Sequence, residues 1–406
     1  MDYPVGIGPR VPDHPHNPAI RLLDGRFYAD DPHPHFDWLR EHAPAYRDET
    51  AGVWGVARYD DVMAVSRDPE TFCSRHSSRP DSPPIPSMIN LDDPLHKRRR
   101  NLVNRGFTPR RVADHAPRIR AVCVELIERV IDRGTCDFVR DLAAPLPMIV
   151  IGDLLGVETE DHDLLLRWSD DMICGLSASA PPELLQRATD AFSEYADYHR
   201  RVVADRRTRP RDDLLSVVMH AEIDGQRLSD EEVLQESLLI LVGGDETTRH
   251  VLSGGMEQLI RHPDLRRTLR SDLAGVPVAV EEMLRWVTPI QNMNRTATRD
   301  ITLHGERIRE GDKLLLLYPS ANRDPRRFRD PDVFNPTRTP NDHVAFGFGA
   351  HYCLGASLAR LELRVFFEEV LSRLPELELA TDAPLPRRAS NFIVGIETMP
   401  VVWQPR

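Results

Sequence analysis

Cys353 stands near the end of a glycine-rich segment, 346–355, that leads directly into a run with apolar residues at helical spacing. A cysteine there lies at a helix N-terminus, where unpaired N–H groups and the helix dipole stabilise a thiolate and donate hydrogen bonds to its sulfur. Gly347 and Gly355 allow a tight turn beneath a flat ligand, and Phe346 can pack near the sulfur and exclude water. The segment therefore favours a metal-binding thiolate over an ordinary buried cysteine.

Glu246 and Thr247 lie in the middle of a long helical pattern, 229–261, that begins with a capping-box pair, Ser229 and Glu232. Two glycines precede them, and their neighbours include hydroxyl side chains that compete for backbone carbonyls. We therefore predict a local distortion of this helix at 243–248, where a ligand can approach the backbone. The alternative is a pair of polar residues that are satisfied by their own helix.

Two further sets of charged residues have helical spacing. Glu282 and Arg285 are one turn apart, which places both charges on one helix face. His96 and Arg100, in a basic run, also share a face. Either set alone also fits a solvated surface helix, because exposed ion pairs are common.

Taken together, these motifs resemble those of the cytochrome P450 superfamily. The segment 346–355 is similar to its haem-binding signature and Glu282-Met283-Leu284-Arg285 to its Glu-x-x-Arg motif, and the resemblance covers nearly the full length. It implies heme b as cofactor, with Cys353 as the thiolate ligand of the iron. It also implies a mainly α, single-domain fold with a long central helix over the haem and a small β-rich subregion. The implied reaction is monooxygenation of an apolar substrate by O2 with two electrons.

The resemblance gives the remaining charged residues their roles. Glu246 and Thr247 match the pair that delivers protons to dioxygen, with Thr247 holding water and oxygen and Glu246 relaying protons from solvent. Glu282, Arg285 and Arg338 match a buried triad that serves as scaffold. Haem carboxylates need cationic or hydrogen-bonding partners, and the positions that match them are His96, Arg100, Arg295 and His351.

The basic run also suggests how electrons arrive. By helical phase, we expect His96 and Arg100 to point inward and Arg98 and Arg99 outward. The outward pair, with Arg110 and Arg360, is expected to form a basic patch for an acidic ferredoxin, which a ferredoxin reductase would supply with electrons.

Three parts of the chain, 136–147, 243–250 and 391–392 with 399–402, resemble actinobacterial enzymes that oxidise the terminal side-chain methyl of cholesterol and cholest-4-en-3-one. An apolar pocket with few polar groups suits a sterol, terpenoid or fatty chain. The first part of the loop 75–90 departs from this picture because it is polar. The expected pocket residues are Met88, Ile89, Ile240, Gly244, Ile290, Met293, Phe392 and Ile393.

Two other functions are compatible with the same motifs. A secondary-metabolite substrate, such as a polyketide, a terpenoid or a carrier-bound amino acid, would leave the chemistry unchanged. A haem-based sensor or carrier would need Cys353 but would have no use for Glu246 and Thr247.

The elements that must position these residues are mostly helices. Helical periodicity predicts helices over 31–42, 60–66, 94–105, 111–133, 182–207 and 229–261, and strand patterns occur only at 53–57, 301–303 and 313–318. Neither a repeat nor a linker divides the sequence. We therefore predict one domain over 1–406, with a flexible proline-rich segment at about 1–18.

The composition excludes several classes of protein. A net charge of −12 argues against a nucleic-acid partner, because phosphates attract a basic surface. The N-terminal residues lack the basic start and apolar run of a signal peptide, and no apolar run is long enough for a membrane anchor. The five cysteines are scattered, with no CxxC pair, which suits a reducing compartment. We expect a cytoplasmic protein and a monomer.

Overall fold

Helices make up most of the protein. The computed structural model describes residues 15–175, 181–223, 225–374 and 376–405, so that most of the proline-rich segment predicted to be flexible, at 1–14, lies outside the described residues. The helices are α1 (Gly25–Ala29), α2 (His33–His42), α3 (Tyr59–Arg67), α4 (Leu95–Val103), α5 (Pro109–Asp114), α6 (Ala116–Glu128), α7 (Pro145–Leu155), α8 (His162–Cys174), α9 (Pro182–Thr208), α10 (Leu214–His220), α11 (Asp230–Arg261), α12 (Pro263–Ser271), α13 (Val276–Val287), α14 (Tyr318–Ala321) and α15 (Ala356–Arg373). None of the helices in these ranges has the length and apolarity that a membrane crossing requires.

The strands are short and form a small β-rich subregion. They are β1 (Ala45–Asp48), β2 (Val53–Val56), β3 (Phe72–Cys73), β4 (Thr135–Asp137), β5 (Asn292–Ala297), β6 (Ile301–Leu303), β7 (Glu306–Ile308), β8 (Lys313–Leu317), β9 (Glu378–Leu379) and β10 (Pro400–Val402). The larger sheet has the order β1-β2-β8-β5-β3, in which only β2 and β8 are parallel. A second sheet has the order β4-β10-β9, and β6 and β7 form a hairpin. The three strands predicted from sequence are confirmed as β2, β6 and β8.

The long helix α11 is the centre of the fold. Its predicted capping box is present: the Glu232 N–H donates to the Ser229 hydroxyl (3.2 Å) and the Ser229 N–H donates to the Glu232 carboxylate (2.9 Å). The helix has 32 residues and is therefore about 48 Å long. It packs against α7, α13 and α15, among others, and so reaches most of the helical core.

Two predictions about helix continuity were wrong. The region 243–248 remains α-helical, because α11 is continuous from Asp230 to Arg261. The expected helix over 111–133 is divided into α5 and α6 and ends at Glu128. Pro117 explains the division, since it has no N–H to donate to the preceding turn and is tolerated only in the first turn of a new helix.

Helix α15 is anchored by its apolar face. Leu363, Phe366 and Phe367 are fully buried, and the Phe366 ring meets Phe138 edge to face with 5.8 Å between centroids. Each such side chain contributes about 1.5–3 kcal/mol through burial. This packing fixes the N-terminus of α15, and with it the loop that carries Cys353.

Candidate active site

Cys353 lies directly before α15 in a tightly hydrogen-bonded loop. Its own N–H donates to the carbonyl of Phe346 (2.9 Å), and the N–H groups of Gly355 and Ala356 hydrogen-bond to its sulfur. Burial raises the pKa of the Cys353 thiol, whereas these N–H groups and the charges of Arg100 and Arg360 lower it. The loop thus supplies the N–H donors and positive charge that a thiolate ligand requires.

Two glycines give the loop its shape. Gly347 and Gly349 both have positive φ angles, +68° and +76°, where side chains are strained. A Cβ on Gly349 would also lie 2.2 Å from the carbonyl oxygen of Ser66. The chain can therefore turn closely against α3 only with glycine at this position.

The surroundings of Cys353 leave room for a bulky group. The side chain is solvent-accessible, although the surrounding protein desolvates it strongly. Gly355 and Gly243, the latter in the middle of α11, have open space where a Cβ would project. These residues lie deep in the fold and are nevertheless exposed, as residues that line an internal cavity are.

Phe346 is held beside the loop by Arg360. The Arg360 guanidinium lies over the Phe346 ring (4.6 Å to the centroid) and donates to both carboxylate oxygens of Glu281 (2.7 and 2.9 Å). The prediction that Arg360 belongs to a free basic patch is therefore wrong, because Glu281 neutralises it. Its stacked position shields the sulfur side of the loop instead.

His96 and Arg100 of α4, Arg295 of β5 and His351 of the Cys353 loop come together in space. The imidazole rings of His96 and His351 lie 4.1 Å apart. Burial lowers the pKa of His351 to about 2, with further lowering by Arg295, His96 and Arg100. Among the described residues, neither Arg100 nor Arg295 has an ion-pair partner: Arg100 donates to the Tyr352 carbonyl and Arg295 to the Asn294 carbonyl (2.8 Å).

Within the described part of the chain, no carboxylate pairs with the two arginines of this cluster. The His96 Nε2 atom is buried without a hydrogen-bond partner, and its other nitrogen lies 3.4 Å from Asp93. Buried cations without counter-charges are costly unless a ligand neutralises them. Two carboxylates on the rim of a flat macrocycle would do so, and the residues present therefore fit a haem.

Thr247 is hydrogen-bonded to Gly243 within α11. The Thr247 hydroxyl donates to the Gly243 carbonyl (2.9 Å), which is the backbone competition expected from the sequence. Gly243 is exposed and open, whereas a Cβ on Gly244 would lie 2.6 Å from Ile151 of α7. The prediction of Gly244 as a pocket residue was therefore wrong: it packs against α7, and Gly243 is the glycine with free space.

Glu246 is fully buried beside Thr247 and is held by two arginines. Arg249 donates to its Oε1 atom (2.9 Å), and Arg388 donates to the same oxygen. The Oε2 atom is buried with no partner. Burial raises the pKa of Glu246, and Arg388 and Arg249 oppose this rise. Burial and the two arginines thus act on the Glu246 carboxylate in opposite directions.

Asp245, the preceding residue on α11, is a second buried acid. Its carboxylate accepts from the Ser169 hydroxyl (3.0 Å) and lies 3.7 Å from Arg249. Burial raises the pKa of Asp245 to about 7. Arg249 also pairs with Asp170, which is partly exposed on α8, so that the acid cluster extends towards solvent.

The remaining expected pocket residues share partial burial or contacts with the core. Ile290 and Ile393 pair across a β-bridge, and the Phe392 ring lies beneath the Arg79 guanidinium (4.1 Å). Met88 and Ile240 are buried, and Ile89, Ile290, Met293 and Phe392 are half-buried.

Glu282, Arg285 and Arg338 lie together in the core. Arg285 makes two hydrogen bonds to Glu282 (both 2.8 Å), and Arg338 adds a third (3.0 Å). All three side chains are buried, which suits the scaffold role that the motif implies.

In the basic run of α4, one arginine does not point in the direction that helical phase predicts. His96 is buried and Arg98 is exposed, as expected, but Arg99 points towards α11. Arg99 donates to Glu232 and to Glu236 (3.3 Å) and to the carbonyl of Pro86 (3.0 Å). Its assignment to an outward basic patch was wrong, because the carboxylates on α11 attract it.

Sequence reasoning missed the two arginines that hold Glu246. Arg249 lies three residues after Glu246 on the same helix, and this spacing alone predicts an ion pair. Arg388 is 142 residues away in sequence, and no spacing pattern connects it with Glu246.

The fold, the Cys353 loop and the cationic cluster agree with a match to the cytochrome P450 family model over residues 56–400. The chain belongs to the cytochrome P450 family. It is therefore a haem-thiolate monooxygenase.

Its relatives point to a narrower group within that family. The chain is 51% identical over 389 residues to a steroid C26-monooxygenase of Mycolicibacterium smegmatis, which covers 96% of this chain and 97% of that protein. It is 40% identical over 366 residues to a methyl-branched lipid omega-hydroxylase of Mycobacterium tuberculosis, with 87% of this chain and 84% of that protein covered. Among solved structures, CYP109E1 from Bacillus megaterium in complex with testosterone has a TM-score of 0.84 and 34% identity over 92% of this chain and 99% of that one.

Proposed function

We propose that this protein hydroxylates a terminal methyl group in the side chain of a sterol or steroid. The observation that carries the proposal is the 51% identity, over nearly the whole of both chains, to a steroid C26-monooxygenase. The apolar character of Met88, Ile240, Ile290 and Phe392 supports it, because a mostly apolar pocket suits such a substrate.

We propose that Cys353 would hold the haem iron through its sulfur. The N–H groups of Gly355 and Ala356 stabilise its thiolate, and Phe346 limits the access of water to it. His96, Arg100, Arg295 and His351 hold the haem carboxylates by charge and hydrogen bonds. The glycines at 347 and 355 leave the space that the macrocycle requires.

When bound, haem supplies the iron at which O2 is reduced by two electrons, so that one oxygen atom enters a C–H bond of the substrate and the other leaves as water. The two protons for that water pass through the protein. Thr247 holds a water molecule by its hydroxyl, and Glu246 takes up protons from the solvent side and passes them on.

A second candidate substrate is a long methyl-branched lipid. The 40% identity to a methyl-branched lipid omega-hydroxylase favours it, and hydroxylation at a chain end would use the same residues. Electrons are proposed to come from a ferredoxin and its reductase, and the protein is proposed to be a cytoplasmic monomer.

The iron ligand is tested by the carbon monoxide spectrum of the reduced protein. We expect a thiolate-type band for the unchanged protein and for the control Cys174→Ser, and loss of that band in Cys353→Ser. A thiolate-type band that survives in Cys353→Ser would refute the ligand assignment.

The substrate is tested by titration of the haem absorption with cholest-4-en-3-one and with a methyl-branched fatty acid. A substrate that displaces water shifts the Soret band, and product analysis identifies the carbon that is hydroxylated. Tight binding and terminal hydroxylation of the sterol are expected. A shift with the lipid alone would favour the second candidate.

A further inference from the structure

Arg388 lies on the C-terminal segment that also carries the expected substrate contacts. Its N–H donates to the Gly395 carbonyl (3.1 Å), and Arg387 pairs with Ile396 in a β-bridge. These contacts close a hairpin-like loop whose turn contains Phe392 and Ile393. Arg388 and the turn therefore belong to one hydrogen-bonded loop.

The side chain of Arg388 reaches from this loop to α11. Its Nη1 atom donates to the Oε1 atom of Glu246, and its Nε atom donates to Glu397 (3.3 Å). Glu246 has no exposed surface, whereas one fifth of the Arg388 side chain is exposed. Arg388 is thus the outer member of the pair and connects the buried acid with the surface.

Several other charged and titratable groups surround Glu246. They come from α11, from α8 and from the C-terminal segment, and they are Asp245, Arg249, Asp170, Cys174 and Arg388. Arg249 is shared among three carboxylates, those of Asp170, Asp245 and Glu246. Arg249 alone cannot balance all three, so the charge of Glu246 depends on Arg388.

We propose that Arg388 is a positioning residue: it holds Glu246 as a carboxylate by its hydrogen bond to Oε1, and it links the substrate-contacting loop to proton transfer by that acid. The proposal rests on the proposed role of Glu246. In each transfer the Glu246 carboxylate takes a proton from a hydronium ion on the solvent side, which leaves as water, and becomes a neutral acid. It leaves Arg388, releases the proton towards the water on Thr247, and returns as a carboxylate to the guanidinium.

The charge environment supports this order of events. Burial raises the pKa of Glu246, and Arg388 is the strongest of the groups that oppose the rise. Without Arg388 the neutral acid would dominate over a wider pH range, and the acid would lose the partner that returns it to its starting position.

The experiment compares Arg388→Ala and Arg388→Lys with Arg387→Ala in the haem-loaded protein. Arg387 is the matched control, because it is adjacent and donates to Glu257 (3.0 Å) instead of Glu246. The first readout is the infrared band of the protonated Glu246 carboxyl across a pH titration, identified by its loss in Glu246→Gln. The second is the amount of product formed per electron pair consumed.

In Arg388→Ala the midpoint of the infrared titration is expected to rise by about 1 to 3 units, as for a carboxyl that loses an adjacent cation. Product per electron pair is expected to fall about tenfold at pH 7, which is part of the 10²–10⁴-fold contribution of a positioned acid. Arg388→Lys should restore most of both values, and Arg387→Ala should match the unchanged protein. If Arg388→Ala fails to load haem, Arg388→Gln takes its place.

Two results would overturn the proposal, and each would show a different part of it to be wrong. If Glu246→Gln forms product as efficiently as the unchanged protein, the role of Glu246 is wrong and this inference is wrong with it. If Glu246→Gln uncouples turnover but the neutral Arg388 variants behave like Arg387→Ala in both readouts, only the role of Arg388 is wrong.

Discussion

Glu282 and Glu246 are two buried acids that each pair with two arginines. The other groups around them differ. Each is paired with an arginine three residues later in its own helix, Arg285 or Arg249, and with a second arginine from a distant segment. The sequence pattern of the two sites is therefore nearly identical. Their remaining hydrogen bonds distinguish them.

Glu282 is saturated. Its two oxygens accept from Arg285 twice, from Arg338, from the Asn335 N–H (2.8 Å) and from the Asn341 side chain (3.1 Å). The arginines in turn donate to backbone carbonyls such as those of Asn322 and Asp330. A carboxylate held in this way is fixed in place.

Glu246 is only half satisfied. One oxygen accepts from both arginines, and the other has no partner although it is buried. Its arginines are shared with Asp170, Asp245 and Glu397. The comparison shows that the same Glu-Arg pattern gives a fully hydrogen-bonded carboxylate at Glu282 and, in other surroundings, a carboxylate with one unpaired oxygen at Glu246.

The largest expected effect is on folding, from Glu282→Gln. Loss of one partner in a buried charge cluster leaves two arginines without their acid and should cost about 3–5 kcal/mol. Urea unfolding of the haem-loaded protein measures it. The matched Glu246→Gln should lower the free energy of unfolding by less than about 1 kcal/mol. The reason is that burial already destabilises the Glu246 carboxylate of the unchanged protein. Equal losses in both variants would abolish the distinction.

The next effect is on turnover, from Glu246→Gln. Removal of a positioned acid should lower product per electron pair about 100-fold while substrate binding stays unchanged. Oxygen consumption measured together with product gives this ratio. The folded fraction of Glu282→Gln serves as the control and should keep the normal ratio. A normal ratio in Glu246→Gln would contradict the proposed relay.

A smaller effect concerns pH and Asp245. Since burial raises its pKa to about 7, the folded state binds a proton that the unfolded state has already released, and wild-type stability falls as pH rises from about 4 to 7. Asp245→Asn removes this loss and should therefore be more stable than the wild type at pH 8. At pH 4 the two proteins should be similar. Unfolding at both pH values tests this, and a difference independent of pH would refute it.

The smallest effect is expected from Asn341→Ala, which removes one of the five hydrogen bonds to Glu282. Its loss should cost about 1 kcal/mol, measured by the same urea unfolding. Turnover per electron pair should not change. A loss as large as that of Glu282→Gln would mean that the cluster depends on this single donor.

Much of the site could be predicted from local sequence. The Cys353 loop, the capping box of α11 and the Glu282–Arg285 pair each lie within one short segment, where backbone geometry fixes which side chains meet. The errors concern residues whose orientation depends on a neighbouring element. Arg99 turns to the carboxylates of α11, Arg360 turns to Glu281, and Gly244 faces Ile151.

The sequence by itself determined the class of chemistry, because a thiol before a helix and an acid beside a threonine are local arrangements. Only the tertiary structure decided which of the two acids keeps an unpaired carboxylate oxygen. Arg338 and Arg388 reach their glutamates from segments 56 and 142 residues away, and hydrogen-bond saturation is a property of everything packed around a group. No spacing along one helix can specify it.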